Sequence, residues 1–349
     1  MTATPRLSKF LRGIHCFACE TSHDPRTLLG VCQRCGMPLR VDYDLGAIRL
    51  QRSDIAGRAP TLWRYRELLP LEEGDETSLG EGFTPLLAVA ENVWVKDEAR
   101  NPTGSFKARG MALAVSMAKH LGAKKFSAPS AGNAAGALAA YGARAGLPVV
   151  VLLPKGAVAR GKLAQVLVAG AEVREVEASF PDVHLLARQL AEKEGLVNVN
   201  SINPDRIEGQ SSAAREVVEQ LGGVPDVLAL PYGGGGNTRA FVLGFDEAGG
   251  GRPRMLAVQS SRRADTLATA IRITEPVHRE QTEALAEIVT VTDDEIVEWW
   301  SAIARLEGLF CEPASAAGVA GVAQTRPGGR VVCVLTGHGL KDPDAVDRL

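Results

Sequence analysis

Val, Ile and Leu gather in short runs that alternate, from about Val93 onward, with longer stretches whose small and apolar residues recur at helical spacing. This alternation predicts a parallel α/β architecture. "KKFSAPS" reads as a strand, Asn133 to Ala145 as a small-residue helix, "PVVVLLP" as a strand, Gly161 to Ala169 as a helix and "AEVREVE" as a strand. Helix, "LVNVN", helix, "DVLALP", helix and "RMLAVQ" follow, then "EIVTVT", a helix carrying Trp299 and Trp300 with Asp293 as its expected cap, and finally "RVVCVLTGHG". The first 50 residues lack any helical period and read as a separate small module, joined to the rest by the partly irregular segment "GRAPTLWRYRELLPLEEGDETSLGEGFTP". Two open-sheet α/β domains are expected, with a ligand cleft between them near the carboxyl ends of their strands.

A length of 349 residues, 45% of them hydrophobic, suffices for two such cores and a small appendage. The net charge of -2 gives no general attraction for nucleic acid or an anionic membrane, so anion binding has to be local. The longest obvious apolar run, "LPVVVLLP", ends at eight residues, well short of the roughly 20 a membrane span needs, and the start shows no continuous apolar segment. A cytoplasmic protein is expected. In a reducing compartment, the two Cys-x-x-Cys pairs that hold four of the six cysteines point to metal or redox chemistry rather than disulfides.

Three stretches surround polar groups with small residues at predicted strand-to-helix junctions: "PTGSFK" ending at Lys107, "PSAGNAAG" containing Ser130, Ala131 and Asn133, and "PYGGGGN" containing Gly233 to Asn237. Four glycines after an apolar strand let backbone N–H groups converge on an anion at a helix start, which makes Gly233, Gly234, Gly235 and Gly236 a candidate phosphate cradle. Neither the P-loop nor the dinucleotide fingerprint fits them. A phosphate-bearing cofactor together with a lysine on another loop suggests pyridoxal phosphate bound as a Schiff base by Lys107. At the other end of the chain, Cys16-x-x-Cys19, twelve residues, then Cys32-x-x-Cys35 has the spacing of a four-thiolate zinc ribbon. Four thiolates leave such a metal no open position, so a structural role is expected, and the mixed charges nearby form no nucleic-acid face. Cys311, Cys333, Trp299 and Trp300 are expected to pack, and His338 either to serve its turn or to touch the substrate.

"NPTGSFKARGMALAVS", "SAGNAAGALAAYGARAG", "NVNSINPDRIEGQ", "GLFCEPASAAGVAGV" and "LTGHGLKDP", with "LWRYRELLP" before them, together resemble the threonine synthase family of fold-type II pyridoxal phosphate enzymes, over about Trp63 to Pro343. The resemblance implies the tryptophan synthase β-like architecture. It assigns 1–50 to a zinc-ribbon-like module, 60–94 and 207–349 to a large cofactor-binding domain, and 95–206 to a small domain carrying the Schiff-base lysine. Lys107 would anchor the cofactor and move protons. Asn133 would hydrogen-bond its phenolic oxygen, Gly233 to Gly236 and Asn237 would hold its phosphate, and Thr336 would face its pyridine nitrogen. Ser130, Ala131, Asn200, Ser201, Arg206 and Asn237 would bind a small phosphorylated amino acid, O-phosphohomoserine, on the way to threonine, in a homodimer that meets neither nucleic acid nor membrane.

The sequence departs from the family pattern at Ala108, at Ala131 and Ala134, and at Gly234, each of which lacks a side chain able to hydrogen-bond. Three readings therefore stand side by side: threonine synthesis, dehydration of threonine or serine or β-replacement on O-phosphoserine with the same cofactor, and a non-catalytic relative that binds through its ribbon.

Overall fold

The computed structural model describes residues 7–48, 52–72, 74–129, 132–155, 160–177 and 180–349. The chain opens with β1 (Leu11–Cys16), β2 (Ser22–His23), β3 (Leu39–Tyr43), α1 (Arg52–Ala56) and a 3-10 turn over Leu62–Leu68. β4 (Leu86–Ala90), β5 (Val93–Asp97), α2 (Lys107–His120), β6 (Phe126–Ala128), α3 (Asn133–Ala145), β7 (Val149–Pro154), α4 (Arg160–Val168), β8 (Glu172–Val176), α5 (Phe180–Glu194) and β9 (Val197–Asn198) follow. Then come α6 (Pro204–Leu221), β10 (Val227–Pro231), α7 (Gly236–Ala248), β11 (Arg254–Ser260), α8 (Arg279–Leu285), β12 (Glu287–Val291), α9 (Asp293–Glu307), α10 (Pro313–Thr325) and β13 (Val331–Leu335).

Two compact units divide the chain: 1–81 with 107–209, and 82–106 with 210–349. The sequence-based boundaries at 94 and 206 fall inside β5 and α6. Residues 60–81 join the first unit because Leu62, Leu69 and Leu71 enter its core, and β5 belongs to the second because it pairs with β13.

In the first unit, β8-β7-β6-β9 form an all-parallel sheet. β7 is "VVVLLP" buried at every position, as a strand covered on both faces must be, whereas β8, at the edge, exposes Glu172 and Glu175. Helix α2 is buried from Ala108 to Ala118. It lies so close to α6 that a Cβ on Gly209 would overlap the Arg109 carbonyl, which is why a glycine stands there. Glu81 organises the same unit. Its buried carboxylate accepts from Trp63 Nε1 (2.6 Å), Ser78 Oγ (3.1 Å), the Leu79 N–H (2.8 Å) and the Tyr141 hydroxyl (2.7 Å). The amino-terminal module is a three-stranded antiparallel sheet, β2-β1-β3, around Ile14, Cys16, Cys32, Leu39 and Val41.

In the second unit the strand order is β12-β11-β10-β13-β5-β4, parallel except for the β4–β5 hairpin. β10 and β13 are buried throughout. Under the β4–β5 edge lies a fully buried ion pair, Lys96 Nζ to Glu216 Oε2 at 2.7 Å, which the Thr84 carbonyl and Gln220 complete. The cap of α9 is Thr292, one residue before the one expected. Its hydroxyl accepts from the Glu295 N–H while Glu295 returns to the Thr292 N–H, a reciprocal box that Asp293 cannot make because it is already helical. Asp293 instead accepts from Ser260, Thr266 and the Leu267 N–H. Trp300 packs in the core, as expected, and donates to the Cys311 carbonyl (2.6 Å).

Candidate active site

The second unit carries the glycine loop and Thr336 at the carboxyl ends of the adjacent parallel strands β10 and β13, where open α/β sheets bind ligands. The loop's carbonyls are tied. Gly233 O accepts from Arg263 Nη2 (2.9 Å), Gly234 O from the His278 N–H (3.1 Å), and Gly235 O from the Arg239 N–H (3.1 Å), with the Thr282 hydroxyl 3.5 Å away. In a trans peptide the N–H opposes the C=O, so each neighbouring N–H points away from these partners, near the start of α7. Gly235 has a φ of 85° and no space for a Cβ beside Thr282, and a Cβ on Gly233 would stand 3.2 Å from the Ala270 carbonyl. Arg263 also lies over the Tyr232 ring at 4.4 Å, so a fixed cation backs the loop. Just beyond, Asn237 Nδ2 and Thr238 Oγ1 are buried polar atoms without a hydrogen-bond partner. A glycine at 235 that no other residue can replace, N–H groups left open by tied carbonyls, and orphaned donors at a helix start fit a phosphate.

Thr336 is buried directly after β13, with its hydroxyl 3.1 Å from Ser315 Oγ and 3.3 Å from Glu312 Oε1. The "PTGSF" loop is stitched to this turn. The Phe106 N–H donates to the Thr336 carbonyl (3.0 Å), the His338 N–H donates to the Gly104 carbonyl (2.9 Å), and Ser105 bridges Gly337. Gly104, at φ 72°, lies against the Lys341 side chain. His338 serves the turn, its Nδ1 accepting from the Leu340 N–H (3.2 Å).

Lys107 follows Phe106 and opens α2, half-buried. In the first unit, Asn133 opens α3 after β6, and Asn200 and Ser201 follow β9, which pairs with β6, so these three share one carboxyl edge. Ser130 and Ala131 lie outside the described residues. Asn200 Oδ1 accepts from the Ile202 N–H (3.0 Å), and Asn203 Oδ1 from the Arg206 N–H (3.2 Å) at the first turn of α6. The Arg206 side chain is 2% exposed, and among the described residues no carboxylate pairs with it. Burial pulls its pKa down to about 10, so it remains a cation at neutral pH.

The four cysteine sulfurs lie within 4.8 Å of one another, with Cys16–Cys35 at 3.4 Å, Cys19–Cys35 at 3.5 Å and Cys19–Cys32 at 3.7 Å. Tetrahedral zinc with Zn–S bonds of about 2.3 Å places its sulfurs about 3.8 Å apart, so the donor set fits that ion. After the second pair Gly36 turns through φ 72°; after the first, Glu20 takes the same left-handed conformation at 53° without being glycine. Each donates its N–H to the first cysteine of its pair.

In the second unit a glycine loop that fits a phosphate and a buried hydroxyl follow neighbouring parallel strands, and the loop tied to that hydroxyl's turn runs on in the chain to Lys107. The family described as "Pyridoxal-phosphate dependent enzyme" matches residues 77–337. Threonine synthase of Methanosarcina acetivorans is 39% identical over 95% of this chain and 93% of its own, and that of Halalkalibacterium halodurans 44% identical over 81% and 90%. The chain belongs to the threonine synthase family of pyridoxal-phosphate dependent enzymes. The solved threonine synthase of Escherichia coli shares its fold, with a TM-score of 0.78 over 97% of this chain and 91% of that one, at 19% identity.

Arg263 and Glu312 are the site residues that the sequence reading missed. No local signal singles out Arg263, an arginine in a polar turn; Glu312 lies in the quoted "EPASAAG", where only its burial sets it apart.

Proposed function

We propose that the protein is a threonine synthase that converts O-phosphohomoserine and water to L-threonine and phosphate. The observation that carries the choice of a phosphorylated substrate is Arg206, a buried cation that no carboxylate pairs with among the described residues, in the first turn of α6, which follows Asn200 and Ser201 in the chain. An unpaired buried guanidinium is costly unless a ligand supplies the negative charge, and a phosphate suits its fork. Free serine or threonine offers a single carboxylate, whereas a phosphorylated amino acid brings a second anion that can meet this cation while its carboxylate is held elsewhere.

In this reading Lys107 holds the cofactor, Asn133 contacts its phenolic oxygen, Gly233 to Gly236 and Asn237 hold its phosphate, and Thr336 faces its ring nitrogen. Pyridoxal phosphate would supply the electron sink for the electron pair left on the amino-bearing carbon. Lys107 takes the proton from Cα and exchanges protons at Cβ and Cγ. Asn200, Ser201, Arg206 and Asn237, with Ser130 and Ala131, hold the substrate, and the first three stabilise phosphate as the Cγ–O bond breaks and its electron pair leaves with oxygen. Water adds through oxygen to Cβ, and the former Cγ ends as the methyl group.

The division of labour between a lysine-bearing domain and a larger cofactor-binding domain is part of the proposal. Cys16, Cys19, Cys32 and Cys35 bind one structural zinc. A homodimer in the cytoplasm completes the reading; unpaired cysteines and, among the described residues, the lack of any helix long and apolar enough to cross a membrane are compatible with the second half of it.

The test is turnover by cofactor-loaded protein of O-phosphohomoserine, O-phosphoserine, threonine and serine, offered separately. Threonine and phosphate in equal amounts from the first alone is the expected result; a 2-oxo acid from threonine or serine without phosphate chemistry contradicts it.

A further inference from the structure

Behind the glycine loop, the half-buried Arg263 turns its whole guanidinium to one task. Nη2 donates to the Gly233 carbonyl (2.9 Å), Nε to the Ile273 carbonyl (2.6 Å) and Nη1 to Gln259 Oε1, while Cζ lies 4.4 Å from the centre of the Tyr232 ring. All three acceptors are neutral. Among the described residues no carboxylate pairs with this cation, and the nearby Asp265 is taken by Arg262. The clasp joins three pieces of chain: the loop after β10, the end of β11 and the turn at 270–273. That turn is pressed onto the loop, with the Ala270 carbonyl 3.2 Å and Ile273 Cδ1 3.4 Å from where a Cβ on Gly233 would be. Gly234 has no side chain that could fix the loop itself. Its backbone is instead held from behind, by Arg263 at one peptide and by the His278 N–H at the next.

We infer that Arg263 is a positioning residue for the cofactor's phosphate, acting through the Gly233–Gly234 peptide that it fixes and polarises. A guanidinium donating to a carbonyl draws electrons across the peptide and leaves the N–H on its far side, that of Gly234, a stronger donor. The trans peptide points that N–H away from Arg263. A planar fork with three fixed acceptors and an aromatic ring against its face does not swing to another partner, so the peptide is set before an anion arrives. Because no carboxylate among the described residues neutralises it, the charge adds to the positive end of α7. A phosphate gains from both effects, and an uncharged group gains from neither. This inference rests on the reading that Gly233 to Gly236 hold the cofactor's phosphate.

The test compares pyridoxal phosphate with pyridoxal, which lacks the phosphate, titrated into the apo forms of the wild type, Arg263→Met and Arg263→Gln and followed by near-visible absorbance. The wild type is expected to prefer the phosphate form strongly. A hydrogen bond from a charged group corresponds to about 10- to 100-fold in affinity, so each variant should bind pyridoxal phosphate more weakly by about that factor, with its affinity for pyridoxal unchanged. Glutamine keeps an N–H for the Gly233 carbonyl without the charge, so its loss reads the charge itself. A variant that folds and keeps the wild-type preference overturns the inference. An equal loss for both ligands also overturns it and makes Arg263 a support of the fold, as does failure of both variants to fold. If instead the wild type shows no preference for the phosphate form, the glycine loop does not hold phosphate and the reading beneath the inference fails.

Discussion

Replacing Arg206 with methionine separates a ligand-binding charge from a structural one. A structural buried cation is paired, and removing one partner of a buried pair costs about 3–5 kcal/mol. Arg206 has no such partner among the described residues, so Arg206→Met exchanges an uncompensated charge for an apolar chain of similar length. The apo protein is therefore expected to melt at the same temperature as the wild type or higher. With the phosphorylated substrate the balance reverses. A guanidinium making two charge-assisted hydrogen bonds at about 1.5–3 kcal/mol each contributes roughly 3–6 kcal/mol. That corresponds to a loss of about 10² to 10⁴ in kcat/KM, at one decade per 1.4 kcal/mol. Calorimetry of the apo protein and steady-state kinetics read the two effects separately. In the cofactor-loaded protein, where the glycine loop is already filled, inorganic phosphate should raise the wild-type melting temperature and leave that of Arg206→Met unmoved. A variant destabilised by several kcal/mol with kcat/KM intact would refute the reasoning and make Arg206 part of the core.

Lys107→Ala should abolish the near-visible band of the bound cofactor and at least about 10³ of the rate, read by absorbance and phosphate release. Gly235→Ala forces a left-handed backbone on alanine, at about 1–2 kcal/mol, and sets a Cβ against Thr282; weaker cofactor binding and a lower melting temperature should appear together. Glu216→Ala strands the buried Lys96 ammonium and should cost about 3–5 kcal/mol in urea unfolding without touching a proposed ligand. Metal analysis should find one zinc per chain, and a chelator strong enough to remove it should melt the amino-terminal sheet in hydrogen exchange. Although burial pushes the Asp293 carboxyl up, hydrogen bonds from Ser260, Thr266 and Leu267 outweigh it and hold the pKa below the ordinary value. The stabilisation is full above the ordinary aspartate range and lost as pH falls through the lowered one, so the advantage of wild type over Asp293→Ala should shrink on acidification.

The strand–helix alternation was legible because the parallel strands are buried on both faces and so appear as unbroken apolar runs, as in β7, β10 and β13. The glycine loop was legible as four consecutive glycines after an apolar strand, although only Gly235 has a left-handed backbone. What holds the loop was not: Arg263 comes 30 residues after Gly233, and nothing in "SSRRAD" distinguishes it from a solvated arginine. Glu81 was hidden for the same reason, since the Tyr141 that makes it a hub is 60 residues away. The α9 cap was readable from Thr292 and Glu295, a Thr-x-x-Glu pair that outranks Asp293 alone. The expected boundary at 94 missed the pairing of β5 with β13, which no local pattern announces.

The most direct measurement is the fate of water oxygen in a turnover of O-phosphohomoserine in H₂18O. Breaking the Cγ–O bond and adding water at Cβ puts the label in the threonine hydroxyl and leaves the released phosphate unlabelled. Label in the phosphate, with homoserine as the product, would mean cleavage at phosphorus and would contradict the account.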